Sequence, residues 1–217
     1  MYKKLLIVIT LLLCSFGFAQ IAQEDPFETE LDSITTENQA FEFVKQHKAL
    51  HGKFITFNRE KHHSRLANDL FALSKGGKDV YESDIGKTYY KLIERTEVPH
   101  HRVSYIVLDG NKKSLAEISK LRKEIISKYK KGTPFEELAK RYSMDINGLR
   151  GGDTGWFDHG EMAPEFEDKI VNDHHKVGSI FMMDIPSRKW YYIILKTHGK
   201  KMIEEIKVLK IVEPISK

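Results

Sequence analysis

The chain has 217 residues and a formal net charge of +4, with 35 Lys and Arg residues set against 31 Asp and Glu residues. This near balance lacks the basic excess that nucleic-acid binding requires, so we expect no nucleic-acid partner. Apolar residues make up 41% and aromatic residues 11% of the sequence, enough for the cores of one or two small domains.

The first 19 residues have the pattern of a secretory signal peptide. A basic pair is followed by an apolar run over residues 5–13 and by small residues before a predicted cleavage after Ala19. The run is too short to span a membrane. Leu13 stands where a lipoprotein signal has a small residue, which disfavours lipid attachment through Cys14. We expect an exported, periplasmic protein, and removal of its single cysteine with this segment excludes thiol catalysis.

Residues 20–34 are acidic and lack apolar periodicity, which indicates a flexible leader. Residues 35–98 have the pattern of a smaller α+β segment. Its predicted elements are a helix over residues 37–50 capped by Thr36, a strand over 52–58, a helix over 64–73, a turn at Gly76-Gly77 and a strand over 88–94, with a boundary at Pro99. The first helix is expected to pack Phe41, Val44 and Leu50 inward.

Residues 99–200 carry clearer signals. They predict a strand over 102–108, a helix opened by the capping box of Ser114 and Glu117 and ended by Gly132, a helix capped by Thr133 with Pro134 at its first position, a short helix from Pro164, and strands over 179–185 and 190–197. This order predicts an α+β domain whose helices pack on a small antiparallel sheet. Residues 201–217 are a C-terminal extension that could add one more strand.

The two halves also share a weak internal similarity. Residues 52–57, 84–85 and 88–94 resemble residues 152–157, 184–185 and 190–196. We interpret the first half as a degenerate repeat of the second. The alternative is chance similarity between two small α+β segments.

The most specific motif is TPFEELAKRYSMDINGLRGGDTGWF, residues 133–157. It combines a capped helix, an acidic residue at Asp145 and, eight residues later, Asp153 in a Gly-Gly-Asp turn. This stretch resembles the middle of parvulin-type (PpiC-like) peptidyl-prolyl cis–trans isomerases of the exported bacterial kind. The resemblance extends over residues 102–197 and implies a parvulin-like fold.

The resemblance also implies a site. Met162 and Phe166 would grip a proline ring, Thr154 and Phe157 would lie nearby, and Asp145 would act as the catalytic carboxylate. From the residues alone, Met162 and Phe166 could equally be helix core, and Asp145 could be an ordinary cap residue.

Two positions depart from the family pattern. Where the family has histidines in its first and last strands, this chain has Tyr105 and Tyr192, which the resemblance places in the catalytic site. Two phenols on neighbouring strands could hydrogen-bond each other, but they cannot change charge near neutral pH as histidines do. The resemblance therefore implies a peptidyl-prolyl isomerase of reduced activity. The alternatives are a non-catalytic chaperone or proline-peptide-binding module, and a structural scaffold in an envelope complex.

Isomerisation of a peptide bond needs no nucleophile, metal or cofactor, because its barrier of roughly 18–20 kcal/mol is lost amide resonance. The implied partners are unfolded or proline-containing polypeptides. Histidines occur as adjacent pairs at 62–63, 100–101 and 174–175, and His47 and His51 are four residues apart. Adjacent side chains point apart, and the four-residue pair lacks a third ligand. We expect these histidines to lie at the surface, with no metal site.

Overall fold

The structure is a computed structural model that describes residues 26–84 and 86–214. It contains two antiparallel sheets. In spatial order, the four strands of the first are Lys53–Asn58, Lys201–Pro214, Gly86–His100 and Lys78–Ser83, and the three of the second are Ser104–Asp109, Trp190–Leu195 and Ile180–Ile185. The predicted signal peptide lies outside the described residues. Within those residues, none of the helices combines the length and apolar character that crossing a bilayer demands.

The four-stranded sheet contains strands from both the N-terminal and the C-terminal parts of the described chain. Its strands are β1 (Lys53–Asn58), β2 (Lys78–Ser83), β3 (Gly86–His100) and β7 (Lys201–Pro214). β7 lies between β1 and β3 and pairs with both. The C-terminal extension therefore completes the N-terminal segment, and the possible strand over 203–212 is a central one.

Three helices pack on this sheet: α1 (Pro26–Ser33), α2 (Glu37–Gln46) and α3 (Arg65–Ala72). The prediction of a flexible leader over residues 20–34 is wrong for Pro26–Ser33, which form α1. α1 is helical and Leu31 is fully buried, because the core of α2, β3 and β7 supplies the apolar contacts that the acidic sequence did not indicate.

The capping box at Thr36 begins α2 as predicted, but the predicted inner face is partly wrong. Ala40 and Phe43 are buried, whereas Phe41 is 60% exposed. Val44 and Leu50 pack against the same core. The inward stripe of α2 is Ala40, Phe43 and Val44, spaced i, i+3 and i+4, so the prediction placed only Phe41 on the wrong side of the helix.

The predicted boundary at Pro99 is also wrong, since β3 continues through Pro99 to His100. β2 pairs only with Gly86–Lys91 of β3, while β7 pairs with β3 through to its end. The proline therefore lies where one edge of β3 is open, and its missing N–H breaks no ladder hydrogen bond on that side.

The four-stranded sheet with its three helices is one unit, and a second unit is built around the three-stranded sheet. The second unit contains β4 (Ser104–Asp109), α4 (Leu115–Lys130), α5 (Phe135–Tyr142), a 3₁₀ turn (Ile146–Arg150), α6 (Pro164–Val171), β5 (Ile180–Ile185) and β6 (Trp190–Leu195). The capping box of Ser114 and Glu117 is present. The predicted cap of α5 is not, because Pro134 is the cap residue and no side chain bonds the first turn.

Alternation along β4 divides this unit into layers. Ile106 and Leu108 face the core formed with α4 and α5. Tyr105 and Val107 face the opposite side, where α6 packs. The predicted α+β class, with helices on a small antiparallel sheet, is confirmed.

The internal repeat is not confirmed. Residues 52–57 fall largely within strand β1, whereas residues 152–157 form turns with only isolated bridges to Ser104 and His101.

Candidate functional site

A cavity of about 360 Å³ opens between the outer face of the three-stranded sheet and α6. Its lining residues are Tyr105, Val107, Asp109, Met144, Asp145, Glu161, Met162, Ala163, Phe166, Trp190 and Tyr192. The structure thus brings together five of the seven predicted site residues: Asp145, Tyr105, Tyr192, Met162 and Phe166.

Three aromatic rings form the floor of the cavity. Tyr105, Tyr192 and Phe166 meet in pairs with ring centroids 5.3 to 5.5 Å apart and strongly inclined planes. All three are at least 91% buried. Edge-to-face and tilted contacts of this kind are favoured arrangements of aromatic rings, so the floor is a closely packed and mainly apolar surface.

Asp145 lies at the wall of the cavity and is held by three donors. The Tyr105 hydroxyl donates to its Oδ2 at 2.7 Å, and the Ser143 hydroxyl donates to its Oδ1 at 2.7 Å. The Gly148 amide reaches Oδ1 at 3.3 Å, so Asp145 also caps the following 3₁₀ turn. Both interpretations of Asp145, cap and pocket residue, describe the same side chain.

Residues 143 and 144 attach this wall to the sheet. The Ser143 hydroxyl accepts the Val107 amide at 3.1 Å, and the Met144 amide donates to the Val107 carbonyl at 2.9 Å. Ser143 therefore links β4 to Asp145, a role that sequence reasoning missed although Ser143 stands inside the recognised motif.

The two tyrosines do not form the expected phenol–phenol hydrogen bond. Tyr105 lies opposite Ile194 and Tyr192 lies opposite Val107, so the tyrosines are diagonal neighbours on one face. Their rings meet edge to face, and Tyr105 donates to Asp145 instead. Burial, above all, raises the pKa of both phenols above the usual value near 10, and both are neutral at physiological pH.

The loop that carries Met162 is organised by a buried carboxylate, Glu167, which is 3% exposed. It accepts the Gly160 amide at 3.0 Å and the Met162 amide at 2.6 Å. Burial alone would raise the pKa of Glu167, but these backbone donors outweigh it and hold the pKa below its ordinary value. Nothing in the sequence distinguishes this glutamate from Glu165, which is exposed on the same helix.

Thr154 and Phe157 do not line the cavity. Thr154 bonds the backbone of Val103 through its amide and its hydroxyl. Phe157 is 3% exposed and packs beneath Phe166. Both residues support the cavity from behind.

The Gly-Gly-Asp turn supports the same strand. The Tyr105 amide donates to the Gly152 carbonyl at 2.9 Å, and a Cβ on Gly152 would approach the Tyr105 carbonyl oxygen to 2.3 Å. Asp153 pairs with Arg102, and the guanidinium lowers the pKa of that carboxyl. Only glycine fits this approach, with φ at +81°, so the turn fixes where β4 enters the site.

The 3₁₀ turn that Asp145 caps carries two exposed apolar side chains. Ile146 is 83% and Leu149 is 74% exposed, both on the 3₁₀ turn. Large apolar side chains next to a cavity are typical of surfaces that bind other molecules.

The histidines follow the expectation only in part. His63 and His174 are exposed, as predicted, but His100 is fully buried. His47 and His51 do not share a helix face, because α2 ends at Gln46 and His51 adopts a left-handed conformation.

The site has an aromatic floor, a carboxylate anchored at its wall and a flexible thioether above it, and no Ser–His or Cys–His pair lines it among the described residues. Such a cavity can enclose an apolar ring and present hydrogen-bonding groups to an adjoining amide. The fold and site thus define a domain of the parvulin class.

Comparison with known proteins agrees. The family model described as "PPIC-type PPIASE domain" matches residues 87–201, more than half of the chain. The chain belongs to this family of peptidyl-prolyl isomerase domains.

Two curated relatives illustrate the likeness. Foldase protein PrsA 2 of Bacillus cereus is 35% identical over 133 residues, which cover 60% of this chain and 40% of the relative. Chaperone SurA of Chromobacterium violaceum is 28% identical over 101 residues, covering 43% of this chain and 24% of the relative. The chain therefore spans less than half the length of these relatives.

Among solved structures, the peptidylprolyl isomerase PrsA of Bacillus anthracis is 36% identical, with a TM-score of 0.37, over 48% of this chain and 43% of that one.

Proposed function

We propose that this protein catalyses cis–trans isomerisation of X–Pro bonds in unfolded or incompletely folded exported polypeptides. The observation that carries the proposal is the apolar cavity in which Met162 and Phe166 stand beside the hydrogen-bonded Tyr105–Asp145 pair. Its volume of about 360 Å³ falls at the small end of ligand pockets, which suits one proline ring with its neighbouring peptide groups.

The mechanism follows from what limits the uncatalysed reaction. Twisting an X–Pro bond removes amide resonance and takes tens to hundreds of seconds unaided. A twisted amide is less polar than a planar one, so an apolar cavity that excludes water favours it. Met162 and Phe166 would hold the proline ring while the preceding carbonyl rotates past the wall.

The hydrogen-bond donor at that wall is a phenol that stays protonated. Tyr105 is a neutral donor already engaged with Asp145, and the pair would present a fixed dipole to the rotating amide. Proton transfer is not required at any step. The raised phenol pKa values keep this arrangement unchanged across neutral and mildly alkaline pH.

Export is part of the proposal and rests on the signal-peptide pattern of residues 1–19. Proline-limited folding outside the cytoplasm provides substrates for such an enzyme, and the relatives named foldase and chaperone support a polypeptide client.

The test is a protease-free assay of a proline-limited refolding reaction. Wild-type protein at micromolar concentration should accelerate the slow phase, and Met162→Ala should reduce kcat/KM by about tenfold through lost contact with the proline ring. Met182→Ala is the matched control, because Met182 is 56% exposed and lies outside the cavity.

Asp145→Asn keeps the shape of the side chain while removing its charge, and it should also slow the reaction. Absence of any acceleration by the wild type would refute the enzymatic proposal.

A second candidate, client binding without turnover, is favoured by the exposed Ile146 and Leu149. It predicts that the protein suppresses aggregation of an unfolded client with no effect on refolding rate. An Ile146→Ser/Leu149→Ser variant would then lose this suppression while its folding stability stays unchanged, because both side chains are already exposed.

A further inference from the structure

Away from the cavity, three potential metal ligands meet where the two sheets adjoin. His100 ends β3, Glu205 lies in β7, and Asp158 lies in the loop just before Met162. One ligand atom from each lies within 4.8 Å of the other two. We call these three residues the junction cluster.

His100 has the geometry of a prepared ligand. It is fully buried, and its Nδ1 lies 3.0 Å from the Val98 carbonyl oxygen, to which it can only donate. The neutral ring therefore has its lone pair on Nε2, which lies 3.5 Å from Glu205 Oε1. A backbone carbonyl that fixes the tautomer in this way is the usual partner of metal-binding histidines.

Asn58 also orients two of the proposed ligands, His100 and Glu205. Its Oδ1 accepts the amides of Glu60 and Lys61, which fixes the orientation of the side-chain amide. Its Nδ2 therefore donates, at 3.0 Å to His100 Nε2 and at 2.7 Å to Glu205. A metal ion bound to Nε2 would replace the first of these bonds, and the second would continue to orient Glu205.

The charge of the cluster also favours a cation. Neither Asp158 nor Glu205 forms an ion pair with a lysine or arginine anywhere in residues 26–84 and 86–214. The nearby Lys61 is already paired with Glu161. Both cluster carboxylates are half-buried, where unneutralised charge is costly.

We propose that the junction cluster binds one divalent transition-metal ion of the Zn²⁺ type. One imidazole and two carboxylates suit such an ion, and ligand bonds of about 2.0–2.2 Å place neighbouring donors about 3.3 Å apart. His100 and Glu205 already have nearly this spacing. Asp158, on a loop, would close the remaining gap, and water would complete the coordination.

Such a site would connect the two halves of the protein. His100 and Glu205 belong to the four-stranded sheet, whereas Asp158 begins the loop that Glu167 organises around Met162. A bound ion would restrain that loop and thereby the cavity wall. The proposal stands independently of isomerase activity.

Chelator-treated purified protein should be titrated with Zn²⁺ by calorimetry and with Co²⁺ by visible absorption. We expect one equivalent to bind to the wild type. Asp158→Asn and Glu205→Gln each remove a charged ligand with little change of shape, so each should weaken binding at least about tenfold. Their thermal midpoints without metal should stay near that of the wild type, which shows that the variants are folded.

His175→Gln is the matched control, because His175 is an exposed histidine beside a carboxylate, Asp173. This variant should bind Zn²⁺ as the wild type does. The proposal is overturned if the wild type fails to bind at about 0.1 mM Zn²⁺. It is equally overturned if both cluster variants retain wild-type affinity, or if His175→Gln is the substitution that abolishes binding.

Discussion

Glu167→Gln is the substitution that best tests how the cavity is built. The change keeps the size of a side chain that is 3% exposed and removes its charge. In the wild type, two carboxylate oxygens accept the backbone amides of Gly160 and Met162. Oε1 accepts both amides and Oε2 accepts that of Gly160 a second time. A glutamine therefore keeps one acceptor, at the Oε1 position, and turns an NH₂ group toward the Gly160 amide.

The expected cost can be worked from these contacts. Hydrogen bonds to a charged group contribute about 1.5–3 kcal/mol each, against about 1 kcal/mol for a neutral one. With its oxygen at the Oε1 position, the variant turns the two charge-assisted bonds into neutral ones and places its NH₂ group against the Gly160 amide. Allowing for the smaller desolvation cost of the neutral side chain, we expect a net loss of about 2 kcal/mol in unfolding free energy, or about 30-fold in the equilibrium constant.

Urea unfolding measures this loss directly, and Glu165→Gln supplies the control. Glu165 lies in the first turn of the same helix, so its substitution removes the same charge from the same helix end. It is exposed, and within residues 26–84 and 86–214 its ion pair is with Arg188, at 3.3 Å. The control should shift the midpoint far less and leave kcat/KM unchanged. Glu167→Gln should also raise KM, because the hydrogen bond that anchors the Met162 amide becomes a weaker, neutral one. Equal midpoints for the two variants would refute this account.

The lowered pKa of Glu167 also determines how its contribution to stability depends on pH. The folded pKa of Glu167 lies below its unfolded value of about 4.3, so its stabilisation is fully present above that pH and is lost as the pH falls through the folded pKa. The difference in unfolding free energy between the wild type and Glu167→Gln should therefore become smaller as the pH falls below about 4. If this difference in unfolding free energy grew below about pH 4, the pKa of Glu167 could not be lowered in the folded protein.

Three further results are expected. Tyr105→Phe should lower the unfolding free energy by about 2 kcal/mol through loss of the 2.7 Å bond to Asp145, whereas Tyr192→Phe, which removes the diagonal hydroxyl, should cost much less by the same urea assay. Leu31→Ala should cost about 3 kcal/mol and Phe41→Ala less than about 0.5 kcal/mol, because the first is fully buried and the second 60% exposed; similar values would contradict the assignment of α1 to the core. Since burial raises the pKa of both tyrosines, kcat/KM should be constant from about pH 7 to 9, and a Tyr105→His/Tyr192→His variant should introduce an inflection at or below about pH 6.5.

The elements predicted well from sequence share a local cause. The capping boxes at Thr36 and Ser114 are satisfied within four residues of chain, and both begin helices where expected. The prediction that Thr133 caps α5 was wrong, because Pro134 takes the cap position and has no side-chain group to bond the first turn.

The failures with larger consequences involve distant parts of the chain. The flexible-leader prediction overlooked α1, whose burial depends on contacts with β3 and β7. Which side of α2 faces inward depends on its contacts with β3 and β7. His100 was expected at the surface, but β3 continues past Pro99 and places it beneath the junction of the two units.

By itself, the sequence determined the family, the α+β class and the approximate position of the cavity, because these depend on short-range periodicity, capping and a motif confined to residues 133–157. Only the tertiary structure decided that β7 lies inside the N-terminal sheet, that Tyr105 bonds Asp145 rather than Tyr192, and that Glu167 holds the Met162 loop. The physical reason is that strand partners and buried polar contacts are chosen among residues far apart in the chain, where no local pattern records the choice.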